Sequence, residues 1–324
     1  MKPVQRIVWI LAFTLPALAL ARAPDARAQE QQLQAAQVKL AAGQHDQAWR
    51  LYRPLAAHGH PLAQFVVGQF FQQGWGRPAD PVAACTWFEK AAHKHVPYAE
   101  HLWADCLAQG VGRLADIPQA LAWYERAAED GHWLSLCTAA GHLIRGEGVA
   151  KDVARGLALC TRAAQADSPP AMLALARHLD EGGDVPQDLV TARHWYEQAA
   201  QRRVPAAQYR LGVMLAEGLG GPADPDAALF WLESAASAGF AAAYLPTAVL
   251  YGNAPVQADS RALAPAYLAK AYLWAAAAKA RPTDEREQAR ARLIEGQILA
   301  VMPASWRPDL DRKVAEHLTR FNPP

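Results

Sequence analysis

An all-α fold, an α/α superhelical solenoid of stacked helix-turn-helix repeats, is predicted by three columns of residues that recur every 36 positions from Pro61 to Phe240. Gly stands at 74, 110, 146, 182 and 218. Asp stands at 80, 116, 152, 188 and 224. An Ala-Ala pair closes each block, at 91–92, 127–128, 163–164, 199–200 and 235–236. Self-similarity at a period of about 20–50 residues marks chains in which each unit buries its apolar side against its neighbours. About 6–7 such units with C-terminal capping helices account for the 324-residue chain better than separate globular domains do.

Taken from the N-terminus, residues 1–28 read as a secretory signal peptide. Lys2 and Arg6 precede the apolar run Ile7 to Leu20, and Ala26-Arg27-Ala28 fits a cleavage site before Gln29. The alternative is an uncleaved anchor, but the apolar run falls short of the ~20 residues a membrane span needs and contains Pro16. No Cys near the site offers a lipid attachment point. No other segment is long and apolar enough to cross a bilayer, so the mature chain is expected without a transmembrane segment, in the bacterial periplasm or secreted.

Residues 29–60 form a degenerate N-terminal repeat, in which Ala48, Leu51, Tyr52 and Ala56 reproduce a second-helix pattern. Residues 61–240 are the five regular repeats. In the block from Pro97 to His132, Trp103, Ala104 and Leu107 make one apolar stripe. Gly110 and Gly112 end that helix, since Gly enters left-handed backbone at little cost. Asp116 then caps the next helix, with Gln119 three residues on in a capping-box pattern. Asp80-Pro81 and Asp224-Pro225 place Pro at the first helical position, where it loses no hydrogen bond. Ala120, Trp123, Tyr124 and Ala127 share a face of the second helix. The first-helix column Phe71, Leu107, Leu143, Leu179, Leu215 and the second-helix column Trp87, Trp123, Leu159, Trp195, Trp231 are both expected in the core.

Residues 241–280 form a sixth repeat lengthened by a loop around Asn253 to Pro265, with Trp274 displaced accordingly. Residues 281–324 supply capping helices. One spans Thr283 to Met302, with Leu293, Ile294, Ile298 and Val301 on its apolar side and Asp284, Glu285 and Glu287 at its positive end; a shorter one spans Asp309 to Leu318.

The combination of Ala63-Gln64 and Ala207-Gln208, Gly110 with Gly112, the Asp column, Trp123-Tyr124, the Ala pairs and Gly131 resembles the Sel1-like repeat, a longer-looped relative of the tetratricopeptide repeat. The resemblance covers nearly all of the chain after the leader. It implies an α-helical superhelix acting as an adaptor or scaffold, of a kind found in bacterial envelopes, secretion and host interaction, and it carries no catalytic residues. Two departures stand out: Leu159-Cys160 replaces Trp-Tyr in the third block, and Asp184 replaces the second Gly in the fourth.

Chemistry finds little purchase. The chain lacks phosphate-loop, nucleophile-elbow, zinc-protease and C-x-x-C motifs, and it has no S-x-x-K. We therefore expect no enzyme activity, no catalytic residues and no cofactor. A net charge of +1, from 32 basic and 31 acidic residues, gives no long-range pull on nucleic acid. Four cysteines in an exported chain suggest two disulfides, and helix register favours Cys85 with Cys106 and Cys137 with Cys160; four buried thiols are the alternative. His58, His60, His93, His95 and His132 gather at second-helix ends. There, hydrogen bonds to loose carbonyls are favoured over a metal site, so no metal is assigned.

By the tetratricopeptide resemblance, first helices line a concave face. Its variable positions, Phe65, Gln69, His101, Asp105, Arg177, Asp180, Tyr209, Arg210 and Glu217, mix aromatic with charged side chains as protein-recognition surfaces do, although an ordinary solvated face has the same composition. The expected function is an exported scaffold for protein partners of an envelope complex. The first alternative is a polysaccharide or peptidoglycan binder using exposed Trp75, Tyr98 or Trp133. The second is a hydrolase acting on envelope material.

Overall fold

The computed structural model describes residues 24–258 and 262–321; the expected leader up to residue 23 lies outside them. Among the described residues the regular structure is entirely helical, with sixteen α-helices and two short 3₁₀ turns. Two compact units divide at Lys94 and His95.

The N-terminal unit contains α1 (Pro24–Ala41), α2 (His45–Ala57), α3 (Pro61–Gln73) and α4 (Pro81–Ala92). Leu33 and Ala36 of α1, Ala48, Tyr52 and Leu55 of α2, and Val67 and Phe70 of α3 form a continuous core. The α3–α4 contact requires a residue without a side chain: a Cβ on Gly68 would lie 2.5 Å from the Phe88 ring.

The C-terminal unit contains α5 (Pro97–Gln109), α6 (Ile117–Glu129), α7 (Leu134–Arg145), α8 (Val153–Gln165), α9 (Pro169–Glu181), α10 (Leu189–Gln201), α11 (Pro205–Glu217), α12 (Pro225–Ser237), α13 (Tyr244–Gly252), α14 (Pro265–Ala280), α15 (Glu285–Val301) and α16 (Arg307–Arg320). Consecutive helices pack as hairpins, and each hairpin packs on the next. α15 and α16 both rest on α14, burying Ala291, Ile298, Leu310 and Val314. This is the expected repeat solenoid.

The recurring Asp explains how each block closes. Its carboxylate accepts the N–H three residues on, at 2.9–3.0 Å, in Asp80–Ala83, Asp116–Gln119, Asp152–Arg155, Asp188–Thr191 and Asp224–Ala227. Its own N–H donates back to the preceding helix, to the carbonyls of Phe71, Leu107, Leu143, Leu179 and Leu215 at 2.8–2.9 Å. One residue thus starts the second helix and ties it to the end of the first. For this reason the capping box expected at Gln119 is only half formed: the Asp116 N–H is already given to Leu107.

Three further expectations shift by a fraction of a helical turn. The Trp column is half-buried at Trp87, Trp123, Trp195 and Trp231, and only Leu159 is buried. The buried column is the next residue along: Phe88, Tyr124, Cys160, Tyr196 and Leu232. Each residue advances about 100° around a helix, so the Ala pair faces that second column squarely and the Trp only by its flank. Cations lie over two of the half-buried indoles, with Lys90 Nζ 4.2 Å from the Trp87 centroid and Arg126 Cζ 4.7 Å from that of Trp123. On α15 the buried side is Ala291, Glu295 and Ile298, while Leu293 and Val301 are 63% and 70% exposed. The buried Glu295 pairs with Lys279 at 2.5 Å, which turns the helix toward α14. In the first-helix column Phe71 and Leu179 are half-buried rather than core.

Candidate functional site

Five of the nine candidate face residues come together in the C-terminal unit. Asp180 near the end of α9 receives a bidentate pair from Arg210 of α11, Nε to Oδ2 at 2.5 Å and Nη2 to Oδ1 at 2.7 Å. The Tyr196 hydroxyl of α10 donates to the same carboxylate at 3.1 Å. Burial opposes ionisation of Asp180, yet these bonds hold its carboxyl below the usual range. Asp180 is therefore buried, at 7% exposure, and is not the freely variable surface position expected of it; its partner lies 30 residues away in the next block.

Beside this pair, Arg177, Tyr196, Tyr209 and Phe240 line a surface pocket of about 350 Å³. Tyr209 and Phe240 pack with ring centroids 5.5 Å apart. Tyr209 is also in the wall of a second pocket of about 470 Å³, whose apolar floor includes Val213, Leu245, Pro246 and Val249 and whose rim carries Glu217, Arg286 and Arg290. Tyr209 belongs to both linings, so the two pockets adjoin at it and together form the candidate groove.

His101 and Asp105 belong to a different arrangement. Ser135 Oγ lies 3.0 Å from His101 Nδ1 and 2.7 Å from His132 Nδ1. His101 Nε2 lies 3.6 Å from Asp105, which accepts the Tyr124 hydroxyl at 2.5 Å. The order serine, histidine, carboxylate is that of a hydrolytic triad, but Ser135 is fully buried and its Oγ offers no approach to a substrate carbonyl. Burial lowers both imidazoles, His132 to about 4 with the charge of His101 adding to the effect. Phe65 and Gln69 are half-buried in the N-terminal unit, with the Phe65 and Phe88 rings 6.2 Å apart.

Of the histidines at helix ends, His58 bonds the Pro54 carbonyl at 2.8 Å and His60 caps α3. His95, Glu100 and Asp130 have ligand atoms within 4.8 Å of one another. The cation position there is taken by Arg126, whose Nε lies 2.9 Å from Glu100 Oε1 and whose Nη2 lies 3.2 Å from His95 Nε2. Trp75 is half-buried and stacks on His45 at 5.5 Å, Trp133 is half-buried, and Tyr98 is 46% exposed beside His132.

Cys137 and Cys160 are disulfide-bonded, joining α7 to α8. Cys85 and Cys106 are also in disulfide form, and none of the four cysteines is free. Two disulfides suit an oxidising, exported environment. Among the described residues no helix is long and apolar enough to cross a membrane.

These helix pairs, Asp caps and shared cores define a helical repeat scaffold. The chain belongs to the Sel1 repeat family, whose profile matches residues 61–95, 97–132, 139–168, 169–203 and 205–240. A Sel1 repeat protein from Oxalobacter formigenes is similar in structure, with 23% identity, a TM-score of 0.58, and 82% of this chain and 99% of that one covered. A protective antigen of uropathogenic Escherichia coli strains with an SLR fold is similar at 25% identity and a TM-score of 0.53; the match covers 85% of this chain and 62% of the antigen's length. No curated protein matches the chain. Sel1 repeat proteins generally act as protein–protein interaction scaffolds, typically without catalysis.

Proposed function

We propose that this chain is an exported scaffold that holds a protein partner within a bacterial envelope complex through the groove centred on Tyr209. The observation that carries the reading is the pair of adjoining pockets: apolar side chains and charged ones line them together, the half-buried Tyr209 belongs to both, and the Asp180–Arg210 pair stands in one wall. Aromatic anchors in desolvated pockets supply most of the energy at protein interfaces. Two disulfides and the leader-like N-terminus support export.

Affinity capture from native envelopes, read by mass spectrometry, tests it. Tyr209→Ala with Glu217→Arg should weaken capture of the principal partner roughly 30-fold, the equivalent of about 2 kcal/mol at an interface hot spot. Unchanged capture by a variant that melts like the parent would refute the groove. A mature chain still beginning at Met1 would refute the cleaved leader.

A further inference from the structure

The N-terminal unit carries a further, chemically different pocket. Its volume is about 720 Å³, and Trp49, Arg53, Phe71, Arg77, Pro78 and Trp87 line it. Arg77 is held in a fixed pose. Its Nε donates to the Trp75 carbonyl at 3.1 Å and its guanidinium carbon lies over Trp49, 3.4 Å from the ring centroid. These contacts leave its Nη atoms with no acceptor among the described residues. Arg53, one turn along α2 from Trp49, is exposed and meets no carboxylate there. The acid on the wall, Asp80, is committed to the N-terminus of α4. Burial lowers the Arg77 pKa; Asp46 opposes the shift and the like charge of Arg53 adds to it, so the two guanidiniums share one electrostatic neighbourhood.

Two converging cations, one pre-oriented for a bidentate contact, call for a carboxylate. The walls around them, Phe71, Pro78 and Trp87, call for an apolar neighbour to that carboxylate. An acidic sugar would supply the charge, but its ring would need an indole face. Trp49 already carries Arg77 and Trp87 already carries Lys90, so stacking there means displacing a cation. We propose that this pocket is a docking site for an acidic peptide segment, with an Asp or Glu carboxylate on Arg53 and Arg77 and an adjoining apolar side chain against Phe71 and Trp87. The site is separate from the Tyr209 groove and rests on the scaffold reading only in taking a protein as the occupant.

The test uses the full chain and a fluorescently labelled, capped peptide of alternating Glu and Leu, followed by anisotropy in low-salt buffer. The expected result is saturable binding that weakens about tenfold with Arg53→Glu, the loss of about one charge-assisted contact. Binding should vanish when Gln replaces Glu in the peptide and should persist in Tyr209→Ala. Arg53 is exposed, so the variant should melt with the parent; Arg77→Ala provides a second reading. The proposal is overturned if the acidic peptide does not bind, or if it binds Arg53→Glu equally well. It is also overturned if the Gln peptide binds as tightly, if Tyr209→Ala abolishes binding, or if oligogalacturonate takes the site in preference to the peptide.

Discussion

The second and fifth repeats have the same frame and opposite surfaces. The fifth residue of each packs against the last residue of its own block: His101 on His132, with centroids 4.7 Å apart, and Tyr209 on Phe240, at 5.5 Å. In the second block that contact is polar and closes over the buried Ser135. In the fifth it is aromatic and opens onto two pockets. The tyrosines at a shared register behave alike up to a point. Tyr124 and Tyr196 are both buried and both donate to an Asp of the first helix in their own block. Asp105 then meets His101 of its own helix, whereas Asp180 pairs with Arg210 of the next block. A repeat frame therefore leaves the use of each face to a few side chains.

The largest effects should come from that tyrosine pair. Tyr124→Ala and Tyr196→Ala should each cost about 3–5 kcal/mol, from lost packing and the cavity left behind. Removing only the hydroxyls separates the network of the second block from that of the fourth, which reaches into the fifth through Arg210. Tyr124→Phe should cost about 2 kcal/mol, because Asp105 is left with His101 alone. Tyr196→Phe should cost about 1 kcal/mol or less, because Asp180 keeps both bonds from Arg210. Urea unfolding of the four variants measures this, and equal costs for the two Phe variants would undo the distinction between the within-block and cross-block networks.

A second contrast is between Glu100 and Gln208, which stand at the same position of their blocks. Gln64 and Gln208 donate to the carbonyls of Ala56 and Ala200, both at 3.2 Å. Ionised Glu100 has no proton to donate. Burial, and then the charge and hydrogen bond of Asp130, raise its carboxyl from the ordinary 4.5 to about 7. A folded pKa above the unfolded one means that the group's contribution is fully present below about pH 4.5 and is lost as pH rises through about 7. Glu100→Gln should therefore stabilise the chain by roughly 1–3 kcal/mol at alkaline pH and have little effect in acid. Gln208→Glu should do the reverse, losing stability as pH rises. Melting curves across this range decide it; parallel curves for the native chain and Glu100→Gln would show that Glu100 does not titrate with folding.

Much of the frame was legible in the sequence because its signals are local. The Asp caps and the Gly C-caps act within three or four residues, so they repeat wherever the block repeats. The fourth block shows the limit. With Asp184 in place of Gly, Gly182 adopts φ 72° and ψ −142° rather than the left-handed helical cap, and Gln187 satisfies the Asp180 carbonyl at 2.8 Å. Facing directions were less legible. Trp123 and Tyr124 are adjacent and both aromatic, and only packing against the Ala pairs chooses between them. Variability marks the candidate face as non-core, but Asp180 meets Arg210 across a block boundary, which no single-block pattern reveals. The Arg53–Arg77 pocket leaves no sequence signal, because Trp49 and Arg53 lie in the degenerate block and Arg77 in a loop, where no column exists to compare them with.

The smallest expected effect tests a column that composition hides. At residues 59, 95, 131, 167, 203 and 239, one block length apart, every backbone φ is positive: Gly59 at 86°, His95 at 57°, Gly131 at 109°, Asp167 at 63°, Arg203 at 60° and Gly239 at 84°. Three of the six are not Gly, and a residue with a Cβ gives up about 1–2 kcal/mol in that region. His95 and Asp167 offset part of this through contacts with Asp130 and Arg202. Arg203 is exposed, and its backbone N–H bond to Ala200 survives substitution. Arg203→Gly should therefore stabilise the chain by about 0.5–1 kcal/mol, the relief of strain less the extra freedom Gly gives the unfolded chain. The second block supplies the mirror experiment. A Cβ at Gly131 would meet nothing within 4 Å, so Gly131→Arg adds backbone strain without a clash and should cost about 1 kcal/mol. If both substitutions leave the unfolding midpoint unmoved, the left-handed junction carries no strain, and the choice of Gly in one block and Arg in another has no energetic meaning.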